Sequence, residues 1–515
     1  MTMKTTTNQI LKALYSLFFF LIGMQTVMAA TKYVSNTGLN TNSGNSWALA
    51  WQTLEYASDH ITAGDTVWIQ NGTYVGFDMR ITGTAANPIV FIAAGNSVNI
   101  TTQNPVTPDG INIENANYIE INGVRCLNQP RNGIRLALAH HCIVRNSFCD
   151  NSLKRGIFTG FTDDILLEFN VCSNSIDEHG IYVSNSSDRS IIRHNICHHN
   201  RGGGIQINAD ASQGGDGIST DPEIYGNIIY ENGLGGGAGI NLDGVQGALI
   251  YNNLLYQNHA TGISLFQEDG AEPSIDADIV YNTIINASDA RWCILAVNGS
   301  SGAQVYNNIL INLHPWKGSI ALDPDAVPGF NSDYNVVVNS LSNNGDGVHI
   351  TLAQWQALGY DAHSFLAQPL PSVFVNPAAG DYHLLSNAQP VNAGNTAFSF
   401  GVTTDLDGTT RPQGPLPDLG AFEFAGPLSL DENLIEHQLP LDPLTGILIT
   451  SSSISWGDEL EGTLVILTMD GKILDRINLE GRNEYSFEKL IPGMYIVALE
   501  NHDYMMWSRG FFVRE

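Results

Sequence analysis

Apolar and polar residues alternate in short bursts between residues 31 and 340, and the bursts recur. A Gly-Ile pair stands at residues 133, 156, 180, 204, 239 and 262, with steps of 23, 24, 24, 35 and 23. Each pair opens an alternating triplet: Ile134-Arg135-Leu136, Ile157-Phe158-Thr159, Ile181-Tyr182-Val183, Ile205-Gln206-Ile207, Ile240-Asn241-Leu242 and Ile263-Ser264-Leu265. Side chains alternate faces along a strand, so the outer members of each triplet point into a core. The middle members, Arg135, Phe158, Tyr182, Gln206, Asn241 and Ser264, point outward.

Asparagine marks the corners of the same period. Asn146, Asn195, Asn227 and Asn253 each have another Asn five residues on, and Asn170 with Asn174 is a shorter version. Asn tolerates the left-handed backbone of a sharp corner, and its amide can bond to the same residue one coil away. The pattern predicts an all-β chain whose first domain is a right-handed parallel β-helix over residues 31–340. A propeller blade needs roughly 40–45 residues, and a leucine-rich repeat needs its Leu framework. Trp51–His60 reads as a short helix covering the first coil. Ala209–Thr220 and Phe266–Ala277 read as insertions, which become loops on one face of a solenoid. Residues 341–424 lose the period and are expected to cap the far end. A linker, 425–442, and a small β-sandwich, 443–515, follow.

Composition adds that the chain is exported and polar without being basic. Charged residues make up 14% of 515, against about 25% in an ordinary protein, and 49 Asn fill much of the gap. A net charge of −29 excludes nucleic acid or an anionic membrane as partner. Lys4 and Lys12, an apolar run from Ala13 to Gly23, and Ala29-Ala30 form a signal peptide over 1–30. No later stretch is long enough to span a membrane. The six Cys are read either as buried thiols or as including a disulfide. A monomer is expected.

Three stretches carry a resemblance. Tyr33-Val-Ser-Asn-Thr-Gly, Gly64-Asp-Thr-Val-Trp-Ile and Gly72-Thr-Tyr resemble the opening of secreted parallel β-helix proteins that include many polysaccharide lyases. Thr404-Asp-Leu-Asp-Gly-Thr-Thr-Arg-Pro with Pro417-Asp-Leu-Gly-Ala-Phe-Glu-Phe is similar to their closing segment. Leu464–Leu474, Leu490–Leu499 and Gly510-Phe-Phe-Val-Arg resemble the C-terminal sorting domain of type IX secretion in Bacteroidota. That resemblance implies the type IX machinery as a partner and a secreted or cell-surface location.

Charge placement points to candidate chemistry. Nine Lys/Arg and six His lie between Arg125 and Arg201, whereas residues 202–290 hold no Lys or Arg and twelve Asp/Glu. An anionic polysaccharide is therefore expected at the basic coils. Arg131, Arg135, Arg155, Phe158, Arg201, Gln206, Asn241 and His259 are its expected binding residues. β-Elimination on a uronic acid needs a neutralised carboxylate, a base and a proton donor. Lys154 or His179 is the expected base, with a neighbouring guanidinium lowering the Lys154 pKa, and Tyr182 the acid. A C5-epimerase would share the first step. Hydrolysis by paired carboxylates is an alternative, since Asp163-Asp164 and Glu178-His179-Gly180 are faintly similar to polygalacturonase motifs. Calcium on Asn208, Asp210, Asp216 and Asp243 is a further expectation. The rival from another class is a non-catalytic glycan-binding or adhesive surface protein.

Overall fold

The computed structural model describes residues 29–424 and, beyond them, strands between 447 and 513. The expected leader (apart from Ala29 and Ala30) and the expected linker lie outside the described residues. Residues 31–366 form a parallel β-helix of three sheets with 12, 11 and 12 strands. One coil illustrates the path. Ile143–Arg145 belongs to sheet I, Phe148–Asp150 to sheet II and Arg155–Gly160 to sheet III, and every coil-to-coil pairing is parallel. Register is set by the alternation, because one slipped residue would turn the apolar positions outward. Ile134, Ile157, Ile181, Ile205, Ile240 and Ile263 consequently stack in one fully buried column. Their neighbours Arg135, Phe158, Tyr182, Gln206, Asn241 and Ser264 stack outside it.

The corners use two residues where the sequence suggested one. The left-handed position falls on Asn146, Phe169, His194, Gly226, Asn252 and Tyr281, with φ between 51° and 64°. The residue after it is buried and builds the ladder between sheets I and II. Asn195 donates from its backbone N–H (2.9 Å) and its side-chain amide (3.1 Å) to Asn227 Oδ1. Asn227 repeats this toward Asn253, and Asn170, Asn282 and Asn308 extend the series. A second ladder, Asn200 to Asn232 to Asn258, lies between sheets II and III. Asn146 is thus an exposed left-handed residue, and Ser147 takes the ladder place beneath it.

Helix α1 (Leu54–His60) starts at Thr53, whose hydroxyl accepts the Tyr56 N–H, and it buries Leu54 and Ala57 at the first coil. Helix α2 (Leu352–Ala357) buries Trp355 at the other end, with the indole donating to Asp361 Oδ2 at 2.7 Å. The rest of the expected cap runs elsewhere. Residues 370–424 lie back along the outer face of sheet II, where Val373, Phe374, Tyr382 and Leu419 pack on Leu254, Ile285, Ile309 and Val336. Arg411 anchors this strap, sitting 4.4 Å from the Tyr281 ring centroid and 2.9 Å from Glu423. The strands described after 447 form two antiparallel sheets of three and four strands.

All six cysteines are free and buried, so the disulfide alternative is set aside. Cys126, Cys149, Cys172 and Cys197 stack along sheet II in the core, behaving as small hydrophobes.

Candidate functional site

The outer face of sheet III is a groove with two walls. Its floor is the outward column Asp78, Asn112, Arg135, Phe158, Tyr182, Gln206, Asn241, Ser264 and Leu295. Both insertions follow sheet III strands and stack on each other to form one wall. Ala211 N–H donates to Asp269 O, and Ala271 N–H to Gly217 O, both at 2.9 Å. Asp243 fastens the second insertion by accepting backbone N–H groups of Glu268 (2.9 Å), Asp269 (2.8 Å) and Gly270 (3.2 Å). The other wall is the corner before sheet III, which carries Arg131, Lys154, His179, Arg201 and, further on, Trp316 and Lys317.

In the first half of the groove every expected cation is engaged by a protein carboxylate. Arg131 holds Asp109 through two nitrogens, at 2.9 and 2.5 Å. Arg135 bonds Asn112 at 2.6 Å and Glu114 at 3.3 Å. Arg155 pairs with Glu178, and Arg201 with Asp177 at 3.3 Å. The expected lowering of the Lys154 pKa is corrected. Its ammonium bonds Asp177 and, at 3.0 Å, Glu178, and these acceptors push the pKa up, holding the proton. His179 is corrected in a different way. Burial pushes it down to about 4, so the ring is neutral, but its Nδ1 accepts the Gly203 N–H at 2.8 Å. The ring proton then resides on Nε2, leaving no free lone pair to act as base.

Phe158 and Tyr182 meet edge to face at 5.7 Å, and the Arg155 guanidinium lies over both rings, at 5.1 and 4.7 Å. Their faces stack on the protein before any sugar. Burial raises the Tyr182 pKa, which suits a proton donor. Gln206 and Asn241 bond to each other at 2.6 Å on the floor. His259 stands at a corner between Asp289 (2.9 Å) and Glu231 (3.1 Å). Asp163 and Asp164 lie on the loop after sheet III, against His140, His141 and Arg189.

A cleft lies in the second half, and of the expected binding residues only Asn241 lines it. A cleft of about 360 Å³ opens over Asn241, Ser264 and Leu295, between Phe266, Glu268 and Val297 on one side and Arg291 and Trp292 on the other. Asp323 and Asp346 close its end. Lys317 donates to both Asp346 oxygens, at 2.7 and 2.6 Å, and the Trp292 indole donates to Oδ1 at 2.7 Å. Against the effect of burial, these bonds hold Asp346 below the usual carboxylate range. Asp323 is raised by burial and by Asp325. The available signal was Arg291-Trp292-Cys293-Ile294, in which Cys293-Ile294 occupies the Gly-Ile place of the next coil.

The expected calcium ligands are committed to turns. Asp210 caps a short 3₁₀ turn through Ser212 N–H, Asp216 accepts Ile218 N–H, and Asn208 bonds Asp269. Asp243 holds the loop described above. Among the described residues no three His, Cys, Asp or Glu side chains are placed to hold an ion, and no helix is long and apolar enough to cross a membrane.

A family model described as periplasmic copper-binding protein (NosD) matches residues 58–265. Copper does not fit the residues present. The cysteines of that stretch are core side chains, and the nearest pair of imidazole nitrogens, His198 Nδ1 and His199 Nδ1 at 2.8 Å, has no third ligand beside it. No curated protein sequence matches the chain. Among solved structures, pectate lyase Pel9A is similar at 14% identity and a TM-score of 0.55, over 77% of this chain and 97% of that one. An alginate lyase from Paenibacillus sp. str. FPU-7 has 17% identity and a TM-score of 0.35, over 57% and 95%. XylC in complex with xylose has 9% identity and a TM-score of 0.45, over 76% and 98%. At 14% identity, the pectate lyase shows a shared fold and nothing more specific.

Proposed function

We propose that this chain is an exported protein that binds a polysaccharide along the sheet III groove and acts on it there. The observation that carries the reading is the outward column of sheet III, which changes residue once per coil and is flanked in its second half by the two stacked insertions and a cleft. Coils repeat about every 4.8 Å, close to the rise of a sugar residue in an extended chain, so successive sugars meet successive floor residues. The resemblance in fold to a pectate lyase supports the same reading. Export to the periplasm or beyond, with the C-terminal unit as a type IX sorting domain, belongs to this proposal.

β-Elimination on a uronate is the reaction favoured by one cluster, Arg155, Tyr182 and His179, in which an arginine, a phenol and a neutral imidazole meet. It requires a substrate carboxylate to replace Glu178 on Arg155, and a base other than Lys154 or His179 as they now stand. Incubation with pectate, alginate, glycosaminoglycans and neutral xylan, followed by reducing-end release and ultraviolet absorbance of unsaturated uronate, separates the outcomes. New absorbance identifies elimination, and reducing ends without absorbance identify hydrolysis. Binding without either leaves an adhesin or a C5-epimerase, which deuterium exchange at C5 of the uronate separates, and neither binding nor cleavage of any polymer contradicts the proposal.

A further inference from the structure

We infer that the cleft over Asn241 and Leu295 is a subsite for an uncharged sugar residue, held through its hydroxyl groups. The inference rests on the groove reading and names the substrate class at its second half. A volume of about 360 Å³ lies within the roughly 300–1,000 Å³ usual for small-molecule sites. Its lining combines the partners a pyranose needs. Leu295 is an apolar floor, Asn241 both donates and accepts, Glu268 and Asp323 accept, and Arg291 donates.

Charge argues against an acidic sugar here. Glu268, Asp323 and Asp346 face the cleft. The Lys317 ammonium is bound to Asp346, which leaves Arg291 as the cleft's one cation without an ion pair among the described residues. Of the twelve carboxylates in residues 202–290, a stretch without Lys or Arg, Glu268 lines the cleft. Like charges repel strongly where water is partly excluded, so a uronate or sulfate entering would be opposed. Hydroxyl groups meet no such barrier, and they can donate to Glu268 and Asp323. The first half of the groove differs, because its cations and carboxylates are matched in pairs.

The test is affinity electrophoresis of the full mature chain in gels holding xylan or galactomannan, and in gels holding polygalacturonate or alginate. Wild type is compared with Asp323→Asn and with Leu295→Trp, which fills the floor, and unfolding midpoints verify that each variant is folded. The expected result is retardation by a neutral polymer that weakens about tenfold or more in both variants, through a weakened hydrogen bond to a charged group in Asp323→Asn and through steric block in Leu295→Trp, with any polyuronate binding unchanged. Neutral binding that survives both substitutions overturns the inference. Binding of polyuronate alone also overturns it while leaving the groove reading intact. No binding of any polymer by wild type overturns both.

Discussion

At the residue scale, the buried Asn ladder does work that exposed Asn at the same corners does not. Asn227→Ala would leave the Asn195 N–H and amide without their acceptor, and the Ile192 carbonyl without the donor it has at 2.9 Å. Each buried orphan costs about 1–3 kcal/mol, so denaturant unfolding should show a loss of about 3 kcal/mol or more. Asn146→Ala removes an exposed amide that donates to Asn122 Oδ1 at 2.9 Å and puts a residue less tolerant of φ 52° at the corner, a cost of about 1 kcal/mol. The sequence displayed both residues in one motif, and composition could not tell them apart. Which Asn turns the corner and which fills the ladder is decided by a one-residue offset, visible only once the coils are stacked. Histidines add a pH dependence. Burial lowers His179, His194 and His198 to about 4 each, below their unfolded value near 6.5. The unfolded chain therefore binds more protons between those values. Their stabilising contribution is complete above about 6.5 and is lost as pH falls through about 4. His194→Phe, which keeps the ring stacked on Phe169, should unfold with a shallower dependence of its urea midpoint on pH in that range.

At the element scale, Asp243 and Trp355 each hold a piece of chain the repeat itself does not order. Asp243→Ala removes the acceptor of three backbone N–H groups of the second insertion. The groove wall should loosen, and glycan affinity should fall by about tenfold or more while the coils stay folded, which isothermal titration and circular dichroism would separate. Trp355→Ala empties the end cap and takes a hydrogen bond from buried Asp361. A loss of about 3–5 kcal/mol is expected from the cavity, read by denaturant unfolding. The coils and both insertions were legible as a period and its interruptions. The strap over 370–424 was not, because its contacts with sheet II join Tyr382 and Phe374 to residues such as Leu254 and Ile309. Those sheet II positions read in sequence as ordinary strand residues.

At the scale of the whole molecule, position along the axis separates two halves of one groove. The excess of Lys and Arg between Arg125 and Arg201 was plain in the sequence, but its meaning changed. Of the acids that neutralise it, Asp109 and Glu114 lie ahead of that segment, and Asp177 and Glu178 lie within it but one coil away from the cations they hold. Counting charges along a segment finds a cluster without revealing that it is already paired. The second-half cleft escaped for the opposite reason, since Asn241, Arg291, Asp323 and Asp346 are spread over about a hundred residues and meet only through the stacking of coils. The proposed function lays a polysaccharide along sheet III. It is tested most directly by blocking the floor with Gln206→Trp and Asn241→Trp, and sheet I with Glu223→Trp, then measuring affinity for the polymer that wild type binds best. Both floor variants should lose affinity by about tenfold or more while the sheet I variant binds as wild type. Unchanged binding in the floor variants, or a loss confined to Glu223→Trp, would contradict it.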